Sequence, residues 1–191
     1  MKILIDLLVR LFSKPARIEL EPVITNDIVV EKPKTNSSTK RAAIGGVATA
    51  TVIAAIVAFI GPWEGRRYVA YQDIVGVWTI CDGHTKGVKP DDTADDAKCD
   101  QLAAEDVAEH NAGIRQCITR EMTPNQEIAL TSLAFNVGVG AVCGSTAVRK
   151  FNAGDDNGAC EAITLWNKAG GVVVKGLVNR RAAEEALCKK G

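Results

Sequence analysis

The chain carries no net charge: 23 basic and 23 acidic side chains cancel over 191 residues. Nothing in that balance points to nucleic acid. The length, with aromatics at only 5%, excludes a tail, a fibre and a multi-domain machine. One domain of about 100 to 150 residues is the natural count, which leaves some tens of residues for another purpose. No cysteine precedes Cys81, and the six present are Cys81, Cys99, Cys117, Cys143, Cys160 and Cys188. An even set confined to the rear of a chain reads as disulfides formed in an oxidising compartment. Cys81, His84 and Cys99 have no second close pair to complete a four-ligand zinc site. The acidic run Asp91, Asp92, Asp95 and Asp96 lacks the ordered loop that calcium requires. It places negative charge at a helix start instead, where the macrodipole favours it. No metal and no other cofactor is expected.

Zero net charge conceals an asymmetry. Residues 1–41 carry eight basic and five acidic groups, and residues 42–191 carry fifteen and eighteen. Between a basic front and a mildly acidic rear lies Ala42 to Ile60, nineteen residues without a charge. As a helix it spans about 28 Å, close to the ~30 Å hydrocarbon core of a bilayer. Eleven of the nineteen are Ala, Gly or Thr, and only Ile44, Val47, Val52, Ile53, Ile56, Val57, Phe59 and Ile60 are strongly apolar. Those eight supply only about −2 to −5 kcal/mol of insertion free energy. The span is marginal: able to insert and able to leave. Lys32, Lys34, Lys40 and Arg41 lie ahead of it, so the positive-inside rule puts residues 1–41 in the cytoplasm and the cysteine-bearing portion outside. A cleaved signal peptide is the alternative, delivering the domain to the same place, but its charged leader would have to be 41 residues long. Residues 1–13 carry a helical apolar stripe, Ile3, Leu4, Leu7, Leu8, Leu11 and Phe12, suited to an interfacial helix or a partner-binding helix. Residues 14–41, with Pro15, Pro22 and Pro33, read as linker.

Directly after the span comes WEGRRYVAYQDIVGVWTICDGHT, residues 63–85. Tyr68, Ala70, Val75, Val77, Trp78 and Ile80, punctuated by Gly76 and Gly83, predict short strands and turns. A strand and turn can bring Asp73 back opposite Glu64. Cleavage of a glycosidic bond needs such a pair, one carboxyl group protonated to donate to the leaving oxygen and one ionised to activate water. The hydroxyl of Thr79 can hold that water. Spacing alone is weak, because Glu and Asp nine residues apart usually mark solvated surface.

The residues carry more than the spacing. Glu64-Gly65 with Tyr71, Asp73, Gly76, Trp78-Thr79-Ile80, Gly83 and His84 closely resembles the catalytic segment of the phage-type lysozymes, the muramidases of glycoside hydrolase family twenty-four. The likeness continues through LTSLAFNVGVGAVCGSTAVRKFNAGD (130–155) and ends in GLVNRRAAEEALC (176–188). A weak span directly before the glutamate narrows it to the signal-anchor-release endolysins of phages of Gram-negative hosts. The resemblance implies an α+β, lysozyme-like fold: a small β lobe and a larger helical lobe with a cleft between them, preceded by a single weak transmembrane helix. It divides the chain into a cytoplasmic segment and linker (1–41), a signal anchor (42–60) and a catalytic domain (61–191).

It also implies roles. Glu64 resembles the general acid, Asp73 the carboxylate that activates water, and Thr79 its hydroxyl partner, in an inverting reaction on the β-1,4 link from N-acetylmuramic acid to N-acetylglucosamine in peptidoglycan. His84 matches a supporting position, which a histidine satisfying a turn would fill as well. Arg180 matches an arginine that pairs with the glutamate, although an adjacent cation opposes an acid role; an exposed partner of Glu184 is the alternative. Phe135 and Thr146 match positions lining the substrate groove, with Phe135 equally suited to plain core. Six cysteines allow fifteen pairings, of which the resemblance favours Cys81–Cys99, Cys117–Cys143 and Cys160–Cys188. Unlike some relatives, this chain has no thiol in its anchor to attack a domain disulfide. The partners implied are peptidoglycan and the inner membrane, through residues 42–60; a monomer, released to the periplasm when the anchor escapes on loss of the proton motive force, is expected. A membrane-tethered, disulfide-braced glycan-binding module without hydrolysis is the competing reading.

Beyond Pro90 the pattern is helical. Thr123-Pro124-Asn125-Gln126 is a capping box with proline at the first helical position, opening a helix through Ile128, Leu130, Leu133, Ala134 and Val137 that Gly138 and Gly140 stop. Asp155 and Asp156 cap another, with Cys160, Ile163, Leu165 and Trp166, which Gly170-Gly171 is expected to end.

Overall fold

The computed structural model describes the backbone of residues 39–73 and 75–191, and side chains from Ala50 onward. The stripe at residues 1–13 and most of the linker lie outside the described residues. Helix α1 (Thr39–Ile60) runs through a single 3₁₀ turn (Gly61–Trp63) into Glu64. It opens three residues ahead of the expected anchor boundary. Ile56 and Ile60 on it are buried against Val107 and Ile128, with Val52, Ile53, Val57 and Phe59 packed around them. This is a 3-4 stripe on one helix face. Among the described residues, no helix is long and apolar enough to cross a membrane.

Strands β1 (Arg67–Gln72) and β2 (Trp78–Cys81) form an antiparallel hairpin, with Tyr71 opposite Thr79 and an irregularity between Arg67 and Tyr71. Helix α2 (Asp96–Cys117) begins at an Asp95 cap that accepts from the Lys98 amide at 2.8 Å. Helix α3 (Pro124–Val137) opens on the expected capping box, in which the side chains of Thr123 and Gln126 take each other's backbone amides. Nine consecutive residues, Gln126 to Ala134, are buried, as in a helix enclosed on every side. It packs against α1, α2 and the C-terminal helix. Gly138, at φ 90°, turns the chain into the short α4 (Val139–Cys143). Gly140 therefore sits inside a helix rather than stopping one.

Helices α5 (Thr146–Asn152) and α6 (Asp156–Ile163) follow, each capped at its start, by Ser145 and Asp155. The α6 expectation needs correction at its far end. The helix closes at Ile163, and Gly170-Gly171 is the turn of a small hairpin, β3 (Lys168–Ala169) against β4 (Val172–Val173). Both glycines have positive φ, 57° and 81°, the backbone that a tight two-residue hairpin turn demands. Helix α7 (Lys175–Cys188) completes the chain. The three disulfides are Cys81–Cys99, Cys117–Cys143 and Cys160–Cys188, the pairing the resemblance favours. They tie β2 to α2, α2 to α4, and α6 to α7. The architecture is α+β and lysozyme-like, with helices and a small antiparallel sheet.

Candidate active site

Glu64 leaves the end of α1 where the 3₁₀ turn stops, its amide bonded to the Gly61 carbonyl at 3.2 Å. Its carboxylate accepts from Arg180 Nη1 at 2.7 Å, and it remains about one-fifth exposed while Arg180 is only 1% exposed. Arg180 rises from α7 through the middle of the helical lobe. Its Nε donates to Glu184 Oε1 at 3.2 Å and its Nη2 to the Ser132 carbonyl at 3.3 Å. Both sequence alternatives for Arg180 therefore hold at once, except that the Glu184 pair is buried rather than exposed. Glu184, wholly buried, also accepts from Ser132 Oγ at 2.7 Å and from Arg181 Nη2 at 2.9 Å. Burial holds the Glu184 carboxyl above its ordinary range and brings the Arg181 guanidinium down to about 10. Buried charges of this kind persist only when paired.

Glu64 opens onto a groove of about 430 Å³, lined further by Asp82, Lys86, Asp106, Glu109, His110, Phe135 and Asn136. Its floor is helical and its rim is the loop after β2. Two contacts bring that rim to α2. His84 Nδ1 lies 2.8 Å from Asp106 Oδ2, while its Nε2 donates to the Lys86 carbonyl at 3.0 Å. The Lys86 ammonium in turn pairs with the Glu109 carboxylate. His84 thus ties the loop after β2 to α2. Phe135 lines the groove, its ring centroid 5.2 Å from that of His110 in a tilted arrangement, and packs against the Ile56 cluster.

Asp73 closes the β1–β2 hairpin. Its backbone amide bonds to the Val77 carbonyl at 2.9 Å, and its Oδ1 accepts from the amides of Val75 and Val77 at 2.9 and 2.8 Å. Among the described residues nothing hydrogen-bonds Oδ2. With Tyr71 opposite Thr79 and Asp73 opposite Val77, the alternation of side chains puts Asp73 and Thr79 on the same face of the hairpin. Thr79 is buried, and its hydroxyl donates to the Val77 carbonyl at 3.1 Å. The two residues therefore form a unit on the hairpin, apart from the residues that line the groove around Glu64. Thr146 does not join the groove: it starts α5, where its hydroxyl accepts from Arg149 at 2.9 Å.

Several residues of the site went unread in the sequence. Asp82, Lys86, Asp106 and Glu109 look like ordinary solvated charges in a chain that is 24% charged. Their one signal is position, since Asp82 and Lys86 flank His84. Among the described residues no group of three or more His, Cys, Asp or Glu side chains is arranged to hold a metal ion.

The model of the Phage lysozyme family matches residues 61–184, and the chain belongs to that family. It is similar to the SAR-endolysin of Enterobacteria phage P21, 42% identical over 156 residues that cover 78% of this chain and 93% of that one. The SAR-endolysin of Pseudomonas phage phiKMV is 40% identical over 148 residues, 75% of this chain and 89% of its own. Among solved structures, a P22 lysozyme mutant superposes with a TM-score of 0.64 at 34% identity, covering 70% of this chain and 94% of its own.

Proposed function

We propose that the chain is a muramidase endolysin that hydrolyses the β-1,4 bond from N-acetylmuramic acid to N-acetylglucosamine in peptidoglycan, and so lyses the host cell. Glu64 gives its proton to the leaving glycosidic oxygen. Water attacks the anomeric carbon from the opposite face, Asp73 takes the proton that water loses, and the configuration inverts. The hydrogen bonds of the hairpin suit this division of labour. The Thr79 proton is committed to a carbonyl, so its lone pairs are left to accept from the water; Asp73 Oδ2 can accept from the same water. Two donors on Oδ1 keep the carboxylate aimed. Arg180 fixes the Glu64 carboxylate in the groove, and loosening of that pair as sugar enters would free the acid to donate.

The observation that carries this reading is the carboxylate of Glu64, bonded to a buried arginine and opening into a groove. Turbidity clearing of permeabilised Gram-negative cells tests it. Glu64→Gln should lower the rate by about 10²- to 10⁴-fold, the range of general acid catalysis. Clearing by both proteins, or by neither, contradicts the catalytic assignment, and binding without clearing by the parent would favour the glycan-binding module.

Control follows from where Glu64 lies in the chain. Residues 42–60 act as a signal anchor in the inner membrane, with residues 1–41 cytoplasmic and residues 61–191 forming the periplasmic catalytic domain. Six of the eight apolar residues that would insert, Val52, Ile53, Ile56, Val57, Phe59 and Ile60, belong to the cluster packed here with Val107 and Ile128. They cannot do both. Glu64 is four residues past Ile60, so an inserted anchor keeps it within about 14 Å of the bilayer, away from Arg180. Loss of the proton motive force lets the weak helix leave, fold against α2 and α3, and deliver Glu64 to the groove. Replacing Gly45, Gly46, Thr49 and Thr51 with leucine should hold the protein in the membrane fraction and abolish lysis. Undiminished lysis by that variant would sink the topological control.

A further inference from the structure

Glu64 connects to the β lobe through Gly65, whose surroundings leave open space where a side chain would be. A glycine there permits many orientations of the acid. The next residue removes that freedom. Arg66 Nε donates to both oxygens of Asp82 at 3.1 Å, and its Nη2 to Asp82 Oδ2 at 2.7 Å. Nη2 also reaches Asp100 Oδ1 at 2.7 Å, and Nη1 reaches Asp96 Oδ1 at 3.1 Å. One guanidinium thus joins the segment bearing Glu64 to the end of β2 and to the first turns of α2. Exposed ion pairs contribute little as a rule, but Asp82 is only 9% exposed, lines the groove, and is held in a bidentate fork.

The three acceptors are brought together without help from residues 61–66. Cys81 immediately precedes Asp82, Cys99 immediately precedes Asp100, and the two cysteines are bonded to each other. Asp96 lies one helical turn before Asp100 on α2. The cross-link therefore holds three carboxylates at one place, where they repel one another until a cation of fork geometry arrives. We propose that Arg66 is a positioning residue for the acid: it plugs into this disulfide-held carboxylate cradle as α1 docks, and sets the bearing of Glu64 opposite the hold exerted by Arg180. The proposal rests on Glu64 being the acid.

The test uses the purified full chain, kinetics on soluble peptidoglycan fragments, and thermal unfolding of each variant. Arg66→Ala should lower kcat by about 10²-fold with KM changed less than about twofold, the signature of a displaced catalytic group. Arg66→Lys should fall between, because an ammonium keeps the charge but not the fork. Millimolar ethylguanidinium should restore at least about tenfold of the loss in Arg66→Ala, by refilling the cradle, and none in Glu64→Gln. Asp100→Asn removes one exposed negative charge from the cradle and leaves the core untouched. It should lower kcat about three- to tenfold with an unchanged unfolding midpoint. Parental kcat in Arg66→Ala beside an inert Glu64→Gln overturns the clamp alone. So does an equal loss in Arg66→Ala and Arg66→Lys that ethylguanidinium does not recover. If Arg66→Ala fails to fold, parental kcat in Asp100→Asn overturns it. An active Glu64→Gln removes the acid assignment and the clamp with it.

Discussion

The two lobes are held together by different physics. The helical lobe has a continuous apolar core, in which Ile114, Leu130, Leu133, Val142, Val148 and Ile163 are buried around the enclosed α3. The β lobe has almost none: Ile80 and Leu102 with the Cys81–Cys99 bond, and Val88 and Ala94 beside them. Tyr68 and Val69 on its first strand are 45% and 58% exposed. A two-stranded hairpin is marginal by itself. This one is stitched to α2 instead, by a disulfide, by Arg66 on Asp96 and Asp100, by His84 on Asp106 and by Lys86 on Glu109. The helical lobe has a packed core in addition to its two disulfides, whereas the β lobe has cross-links and very little packing. The proposed water-activating pair, Asp73 and Thr79, rides on the lobe that depends on redox state and ionisation.

The comparison is best broken at its strongest side first. Leu133→Ala empties a fully buried site in the helical core and should cost about 3 to 5 kcal/mol, read as a single cooperative shift in urea unfolding. The paired change Cys81→Ser with Cys99→Ser opens a loop with a sequence separation of 18 residues and should cost about 3 kcal/mol. The effect should be local. Hydrogen exchange would accelerate in β1, β2 and the start of α2 while the amides of α3 stay protected, and hydrolysis would fall with the β lobe. Equal acceleration in both lobes would mean that they share one core after all.

The same contrast explains what could be read from the chain. Helix starts were legible where the signal is local: the Thr123–Gln126 box and the Asp155 cap each act within three residues, and the acidic run from Asp91 to Asp96 marks the start of α2. Glu64, Asp73, Thr79 and His84 could be singled out as candidates because the motif holding them is contiguous. Gly170-Gly171 was misread because a glycine pair serves a helix end and a hairpin turn equally, and two-residue strands leave no period to count. Arg66 was invisible for another reason. Its acceptors lie 16, 30 and 34 residues away, and the disulfide that gathers them could not be paired from spacing. Glu184 looked like a surface partner because i,i+4 spacing records a helix face and says nothing of what covers it. Thr146 was placed in the groove by likeness alone, and it is not among the residues lining the pocket at Glu64.

Acid should sharpen the comparison with the smallest of these effects, because Glu184, buried in the helical lobe, responds with the opposite sign to the carboxylates that stitch the β lobe. Asp96 is held below its ordinary 3.8, first by the hydroxyl of Tyr68 and then by Arg66, and Glu109 is held low by Lys86. A carboxylate lowered in the folded state stabilises it fully above the unfolded value, and loses that contribution as pH falls through the folded value. Glu184 is the reverse: burial raises it above its ordinary 4.5. The folded state there takes up a proton before the unfolded one, so its contribution grows as pH falls from the raised value to 4.5. Acidification should therefore spare the Glu184 contribution while the ionic stitches of the β lobe weaken, Glu109 below its ordinary 4.5 and Asp96 below 3.8. Hydrogen exchange followed from about pH 6 to about pH 2.5 reads this directly: β1 and β2 should open at a higher pH than α3. Asp96→Asn supplies the control, since it has no proton to gain. Its unfolding midpoint should lie below that of the parent near neutrality and converge with it in acid. A gap that stays constant across that range would assign Asp96 a packing role and take the Tyr68 and Arg66 contacts out of the stability of the β lobe.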